Sequence, residues 1–513
     1  MFNEYLGYHD FFIKVLPILK KSIEEYSEND NNDNWFPLLS HRDETLISRF
    51  QALFYAPLMH IGKLTEFDSK QNCLKNIIGK SYQSSTLTQF LCGLERVDAG
   101  NHMLELLIPP DTGTFCYIDG HMIAFWSKES MHKGKITMLG RIMSGSNALV
   151  AHDDKGRAIY IEYHPPDIHM TSVIVNYCKH IRDSVGIELF IIDREVNSLD
   201  VALEFDRNGL GLMSMLGKNQ YKSLLDWEHH YIGVQKDGSK TYSGQWLDEK
   251  KRQADPRHFV IVDTGEKLLP YWGNDTLFSN CTSLIEWPEL YAERTEIQEN
   301  AFKRMKNHGA LETNYGIKKI LVPDRHQQRA NEELESKLEK TEEKQQKKLE
   351  EIDAQKSKVK ESEIKNHPKM LPIRKNKLEE LEIELEKTKL NEQKIKDDIE
   401  KNGPPKERAD RDFRKQLIMT IRTLCLENWL MEFFIILLQT KNLEIGLDGF
   451  LNAFFDRSGS YYETTSKIIY HLECDGLSKS FLSKIKALIN SYNDLKLTRN
   501  GKIIQVKIRG IPI

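Results

Sequence analysis

From Tyr5 to about Pro110 apolar residues return at helical spacing, with clusters such as Phe50, Leu53 and Phe54 set apart by an Asp/Asn-rich break at Asn29–Asn34. The pattern predicts a helical N-terminal region, 1–110, which is a candidate DNA-binding domain. One stretch opens at Ser84-Ser85-Thr86 and runs into Leu87, Phe90 and Leu91. Such a segment suits a DNA recognition helix, although any surface helix that packs its apolar side into a core begins the same way, and that is the commoner case.

After Pro109-Pro110 the period shortens. Phe115-Cys116-Tyr117-Ile118-Asp119, Ala158-Ile159-Tyr160-Ile161-Glu162-Tyr163 and Glu188-Leu189-Phe190-Ile191-Ile192-Asp193 are short apolar runs of the kind found in buried strands, with a helical stretch between the last two. Strands alternating with helices predict an α/β core. We divide that core into 111–207 and 286–326, the second part carrying a strong helix pattern over Tyr291–His308. Between them, 208–285 is glycine-dotted and strand-like, as in His258-Phe259-Val260-Ile261-Val262-Asp263-Thr264-Gly265-Glu266-Lys267, and reads as a β-rich insertion.

Gln327–Lys401 is of another kind, with 19 Lys+Arg interspersed among 20 Asp+Glu, which marks a solvated helix. Leu378, Leu381, Leu385, Thr388, Glu392, Ile395 and Ile399 alternate three- and four-residue steps, a heptad seam with a polar break. Leu334, Leu338, Ile352 and Val359 give a sparser stripe upstream, and His367-Pro368-Lys369-Met370-Leu371-Pro372 interrupts the helix between them. Prolines there forbid one continuous rod, so 327–402 is expected to be a charged helical hairpin, a coiled-coil arm that serves as a spacer or as a dimerisation or DNA-clamping contact. Gly403-Pro404-Pro405 ends it, and 403–513 reads as an α+β C-terminal region with an amphipathic helix near Arg414–Gln439. The chain closes on a hairpin whose Asn500-Gly501 suits a type I′ turn. Lys496, Lys507 and Arg509 on its polar face suit phosphate contact or, as strand lysines more often do, keep an edge soluble.

With 72 Lys+Arg against 76 Asp+Glu in 513 residues, the net charge of −4 excludes a uniformly basic nucleic-acid coat but leaves local basic faces open. The seven cysteines are scattered without a CxxC pair, so neither a disulfide framework nor a zinc knuckle is indicated, and a reducing cytoplasm is expected. Met1–Lys14 lacks the make-up of a signal peptide and reads as a mature end. The most apolar run, Phe433–Leu438, is far shorter than the roughly 20 residues of a membrane span, so no membrane partner is expected.

Candidate chemistry begins with two aspartates, Asp119 and Asp193, each where an apolar strand leaves its sheet, the usual place for ligands in open α/β sheets. A carboxylate there also serves as a turn or cap residue. Glu299 stands mid-helix with Lys303 and Lys306 on its face, a spacing shared with surface ion-pair ladders. Asp119 in Tyr-Ile-Asp-Gly-His, Asp193 in Ile-Ile-Asp-Arg-Glu, and Gln-Glu-Asn-Ala-Phe-Lys-Arg-Met-Lys followed by His308 and Tyr315-Gly316 together resemble a DDE transposase of the bacterial insertion-sequence type. The resemblance spans about 115–320 and extends to the closing 405–513 region.

That resemblance implies an RNase H-like catalytic core with a β-rich insertion, which the 105 residues between Asp193 and Glu299 accommodate. It implies metal-dependent DNA cleavage at transposon ends and strand transfer into target DNA, with Asp119, Asp193 and Glu299 as catalytic metal ligands for two Mg²⁺ ions, Mn²⁺ able to substitute. Tyr291, Arg294, Lys303 and Lys306 would meet DNA or brace the active-site helix, and Trp246 and Trp272, from an aromatic and basic set that includes Trp227, Tyr242, Lys240, Lys250, Lys251 and Arg252, would stack on a base. His121 would orient a metal-bound water or make a structural hydrogen bond. The implied partners are double-stranded DNA, as element ends and target, and a second copy of the chain, in a bacterial-type cytoplasm at the nucleoid.

The chain departs from the pattern in two places. Thr295 follows Arg294 where many relatives carry tryptophan, and the common Tyr-x-x-Arg-x-x-x-Glu spacing falls on Gln298. The Gln-Glu-Asn-x-Phe-Lys variant selects Glu299, with Glu296 and Glu293 as neighbouring alternatives. Rival readings are an inactive or repurposed DNA-binding relative and a metal-dependent nuclease without strand transfer. A coiled-coil scaffold is a third, and it leaves Asp119, Asp193 and Glu299 unexplained.

Overall fold

The computed structural model describes residues 6–7, 9–29, 42–126, 131–136, 139–217, 229–248, 253–280, 283–307, 318–365, 368–439 and 459–509, and the backbone alone at 28–29, 246–248, 253–256, 296, 304–307 and 438–439. The chain divides into two compact units: 1–125, 134–317 and 412–513 form one, 126–133 and 318–411 the other.

The larger unit is built on a mixed sheet. Its strands are β1 (Phe115–Ala124), β2 (Lys133–Ile136), β3 (Arg141–Asp153), β4 (Ala158–His164), β5 (Leu189–Ile192), β6 (Gly211–Met215), β7 (His230–Val234), β8 (Lys240–Asp248), β9 (Gln253–Asp263) and β10 (Leu268–Gly273). The order is β2-β3-β1-β5-β6-β10-β9-β8-β7, with β4 also on β3. Thus β1, β3 and β4 form an antiparallel set, while β5 runs parallel to β1 and β6 parallel to β5. The strands of segment 208–285 continue this sheet: β10 pairs antiparallel with β6, and β9, β8 and β7 follow.

Both sheet faces are covered, and successive residues show it. Ala148 and Val150 of β3 join Ile123, Ile161 and Tyr163 in a cluster with the N-terminal helices and the helix Arg414–Gln439. Leu149 and Ala151 point the other way, among Ile174, Tyr177 and Ile181 of the helix Met170–Val185 and Val201 and Phe205 of Leu199–Arg207. The two-residue period of a strand therefore divides one apolar run between two cores. The predicted recognition segment lies in the helix Ser84–Arg96, whose Leu87, Phe90, Leu91 and Leu94 are buried in the first of them. Arg422, also buried there, gives its Nη1 to the Leu53 carbonyl at 2.7 Å, so a charged group inside the core has an acceptor.

The closing hairpin forms as the sequence predicts. A second sheet, β13 (Gly459–Glu463), β14 (Lys467–Leu472), β15 (Thr498–Arg499) and β16 (Lys502–Ile508), ends on Arg499↔Lys502, with Asn500 at φ 51° and Gly501 at φ 77°. Positive φ at both central residues is what a type I′ turn requires.

In the smaller unit a ribbon of β11 (Lys319–Pro323) and β12 (Glu407–Arg411) carries the helices Arg325–Ile364 and Met370–Asn402. Pro372 falls in the first turn of the second helix, where its missing N–H costs nothing. Ile352 packs against Leu378, Leu381 and Leu385, and Lys348–Glu384 (2.9 Å) and Lys356–Glu382 (3.6 Å) flank that contact. No described helix is long and apolar enough to cross a membrane.

Candidate functional site

β1 and β5 run side by side as far as Ile118↔Ile192. The next residues are Asp119 and Asp193, so two acids 74 positions apart meet where the parallel pair ends. β5 stops at Ile192 while β1 continues to Ala124 along its antiparallel neighbour β3, so a crevice lies beyond the end of β5 and beside β1. A cavity of roughly 590 Å³ lies there, lined by both aspartates and, among others, His121, Lys135, Asn147, His169 and Glu195. Gly120 keeps it open, since a Cβ at that position would stand 3.0 Å from Asn147 Oδ1 and 3.1 Å from Met170 Cε.

The helix Trp287–Asn307 supplies the pair with a cation. Arg294 Nη2 lies 3.2 Å from Asp193 Oδ1, and its Nη1 is 3.6 Å from Asp119 Oδ2. The Tyr291 hydroxyl donates to the same Asp193 oxygen at 3.2 Å, and the Arg294 guanidinium stands 5.0 Å over the Tyr291 ring. Gln298 Oε1 accepts from Arg294 Nη1 at 3.0 Å. Asp193 is held further by its backbone carbonyl, which accepts from Ser214 Oγ at 3.1 Å, and Asp119 Oδ1 accepts from the Gly120 N–H at 2.8 Å.

Burial is the main force on Asp119 and pushes its carboxyl up to about 6. Arg294 opposes that rise, while the negative charges of Asp193 and Glu195 reinforce it. Burial likewise holds the Tyr291 hydroxyl well above its ordinary range, with Arg294 pulling down and Asp193 pushing up, so it acts as a hydrogen-bond donor. Tyr117 is raised by burial and by Glu293, whose Oε2 accepts its hydroxyl at 3.1 Å.

The remaining predicted residues are distributed around this centre. Glu299 is 64% exposed and lies 3.8 Å from Lys303, itself 70% exposed, as an i,i+4 pair on the outer side of the helix. Trp272 is fully buried, with Arg257 5.9 Å over its ring. His121 is buried on the cavity wall and stacks on Phe302 with ring centroids 5.4 Å apart. Trp227, His308 and Tyr315-Gly316 fall outside the described residues, as do the side chains of Trp246, Glu296 and Lys306.

Glu195, Lys135 and His169 line the cavity without being candidates from the sequence, whereas Gln298 is the residue on which the Tyr-x-x-Arg-x-x-x-Glu spacing falls. Glu195 lies in the very motif that identified Asp193, two positions on, and Gln298 is an amide where only acids were sought. The signal for Gln298 was that spacing itself, Tyr291 and Arg294 followed at position 298 by an amide in place of the acid.

Two adjacent carboxylates suit one hard cation, because Mg²⁺ keeps most of its waters and is commonly bound through one or two carboxylates. Among the described residues no group of three or more His, Cys, Asp or Glu side chains is placed to share a metal ion. No protein-family model matches the chain, and no curated protein matches it either. Among solved structures it is similar to a piggyBac transposase in a synaptic complex with hairpin DNA, with a TM-score of 0.37 and 11% identity over 60% of this chain and 69% of that one. At that level of likeness neither the fold nor the activity of that transposase passes to this chain.

Proposed function

We propose that the chain is a transposase-type DNA enzyme that cleaves phosphodiester bonds at element ends and transfers the strand to target DNA. The observation that carries this reading is the meeting of Asp119, inside β1, with Asp193, just past the end of the parallel neighbour β5, over one cavity. A mixed sheet with acids so placed accords with the RNase H-like core that the sequence resemblance implies. A Mg²⁺ or Mn²⁺ ion held by Asp119 and Asp193 would polarise a phosphate oxygen and lower the pKa of a bound water. Glu195 lines the cavity, and Glu299 does not.

The protein's own groups have separable tasks. Arg294 offsets part of the charge of the acid pair between turnovers and, with Lys135 on the cavity wall, attracts a phosphate. Tyr291 fixes the Asp193 carboxylate through its hydroxyl. His121, sandwiched against Phe302, keeps one wall of the cavity rigid. Two chains acting together would handle two element ends.

The test is cleavage and joining of labelled duplex carrying the sequences that flank the gene, with Mg²⁺ or Mn²⁺, for the wild type, Asp119→Ala and Asp193→Ala. Metal-dependent products lost in both variants, with DNA binding retained, are expected. Products that persist in both variants refute the proposal. One observation favours a second reading, a DNA-binding relative that does not cut: Arg294 already pairs with both aspartates. Tight binding to the flanking ends with no cleavage by the wild type would select it.

A further inference from the structure

The helix Trp287–Asn307 turns a single stripe inward, made of Trp287, Tyr291, Arg294, Gln298 and Ala301, all buried. Steps of four, three, four and three residues keep these on one face. Gln298 is 1% exposed, and Glu299, next in sequence and about 100° further round the helix, is exposed. One nitrogen joins the amide to the acids: Arg294 Nη1 is 3.0 Å from Gln298 Oε1 and 3.6 Å from Asp119 Oδ2. A cation therefore already bridges Gln298 and Asp119. Two buried atoms of this group, Gln298 Nε2 and Arg294 Nε, have no hydrogen-bond partner among the described residues.

Resting on the reading of Asp119 and Asp193 as cation ligands, we infer that Gln298, not Glu299, is this helix's contribution to the acid site. It acts as a positioning residue that holds Arg294 across the two aspartates. The site is thereby a two-acid centre with a resident arginine cation and a neutral amide where a third carboxylate would complete a metal shell. A divalent ion must compete with Arg294 for the two aspartates, and among the described residues no third His, Cys, Asp or Glu is placed to share it, so it binds weakly. A carboxylate at 298 would present its oxygen where Gln298 Oε1 now stands and add the missing charge. Glu299, paired with Lys303 outside, has no part in metal affinity.

The experiment is Mn²⁺ titration of the full chain, followed by the electron paramagnetic resonance signal of the free ion, for the wild type, Gln298→Glu, Glu299→Gln and Arg294→Met. Far-ultraviolet circular dichroism verifies that each variant is folded. We expect Gln298→Glu to tighten Mn²⁺ binding tenfold or more, Arg294→Met to tighten it several-fold, and Glu299→Gln to stay within twofold of wild type. A tenfold loss in Glu299→Gln overturns the inference, as does a folded pair of Gln298→Glu and Arg294→Met that bind no more tightly than wild type. Adding Asp119→Asn to each protein separates the two levels. If Asp119→Asn removes Mn²⁺ binding, the acid pair is the site and the 298 result decides the inference alone. Tight Mn²⁺ binding that survives Asp119→Asn overturns the reading of the acid pair itself.

Discussion

Asp119 should destabilise the fold at neutral pH, so Asp119→Asn is expected to make the protein more stable. The carboxyl is raised from 3.8 to about 6, chiefly by burial. At about 1.36 kcal/mol per pH unit, ionising it in the folded state costs about 3 kcal/mol more than in the unfolded chain. The side chain retains 30% exposure, so solvent screening lowers the expected figure to about 1–3 kcal/mol. Between pH 4 and pH 6 the folded state holds a proton that the unfolded state has lost. Stability due to this group therefore falls as pH rises through that window and is level above it. Urea unfolding of wild type and variant in EDTA, from pH 4 to pH 8, should show a difference near zero at the acid end that grows to its full value by about pH 7. Added Mg²⁺ should then stabilise the wild type and leave the variant unmoved, since a ligand stabilises only the state that binds it. A variant less stable than wild type at pH 7.5, or a difference that does not change with pH, would refute the reasoning.

Four further outcomes are expected. Tyr291→Phe removes the 3.2 Å bond to Asp193 while Arg294 remains, and should cost about 1 kcal/mol in chemical denaturation. Trp272→Ala should cost about 3–5 kcal/mol, with the DNA affinity of the folded protein unchanged, because the indole is inside the core. Leu381→Ala, in the apolar contact of the helical hairpin, should cost about 2–5 kcal/mol and speed amide exchange within 325–402, leaving the sheet's protection intact. Gly501→Ala forces a Cβ into positive φ and should cost about 1–2 kcal/mol by thermal unfolding, which the open surroundings of that turn cannot offset.

The elements easiest to read were those with strong local determinants. β4, β5 and the helix Arg414–Gln439 fall where hydrophobic period and length put them, and Asn500-Gly501 dictates its own turn. β3 was not legible: Arg-Ile-Met-Ser-Gly-Ser-Asn-Ala-Leu-Val-Ala-His-Asp mixes small and polar residues, yet ten consecutive positions are buried. A strand covered on both faces loses the alternation that announces a strand, and Ser144, Ser146 and Asn147 are buried there by tertiary packing. The strands β7–β10 were legible as strands, but no local feature tells that they extend the sheet of β1 and β5, because Gly273↔Met213 pairs residues 60 apart.

The site divides along the same line. Asp193 was legible because it follows the last residue of β5, whereas Asp119 ends an apolar run but not its strand: β1 continues through it to Ala124 along β3, so the strand end expected there is not formed. The helix is different, since its contribution depends on phase. A motif that names Glu299 and one that names Gln298 differ by a single residue, and a single residue is about 100° of rotation. What fixes the phase is the pair of aromatics upstream: Trp287 is fully buried against the sheet and Tyr291 reaches Asp193, so the stripe they begin must continue through Arg294 to Gln298. Had Trp287 and Ala301 been polar, the helix could have turned to bring Glu299 inward. With both buried, doing so would expose the indole and draw Arg294 off both carboxylates, leaving two half-buried acids without their counter-charge. The packing of an apolar residue three turns away thus decides which side chain meets the acids.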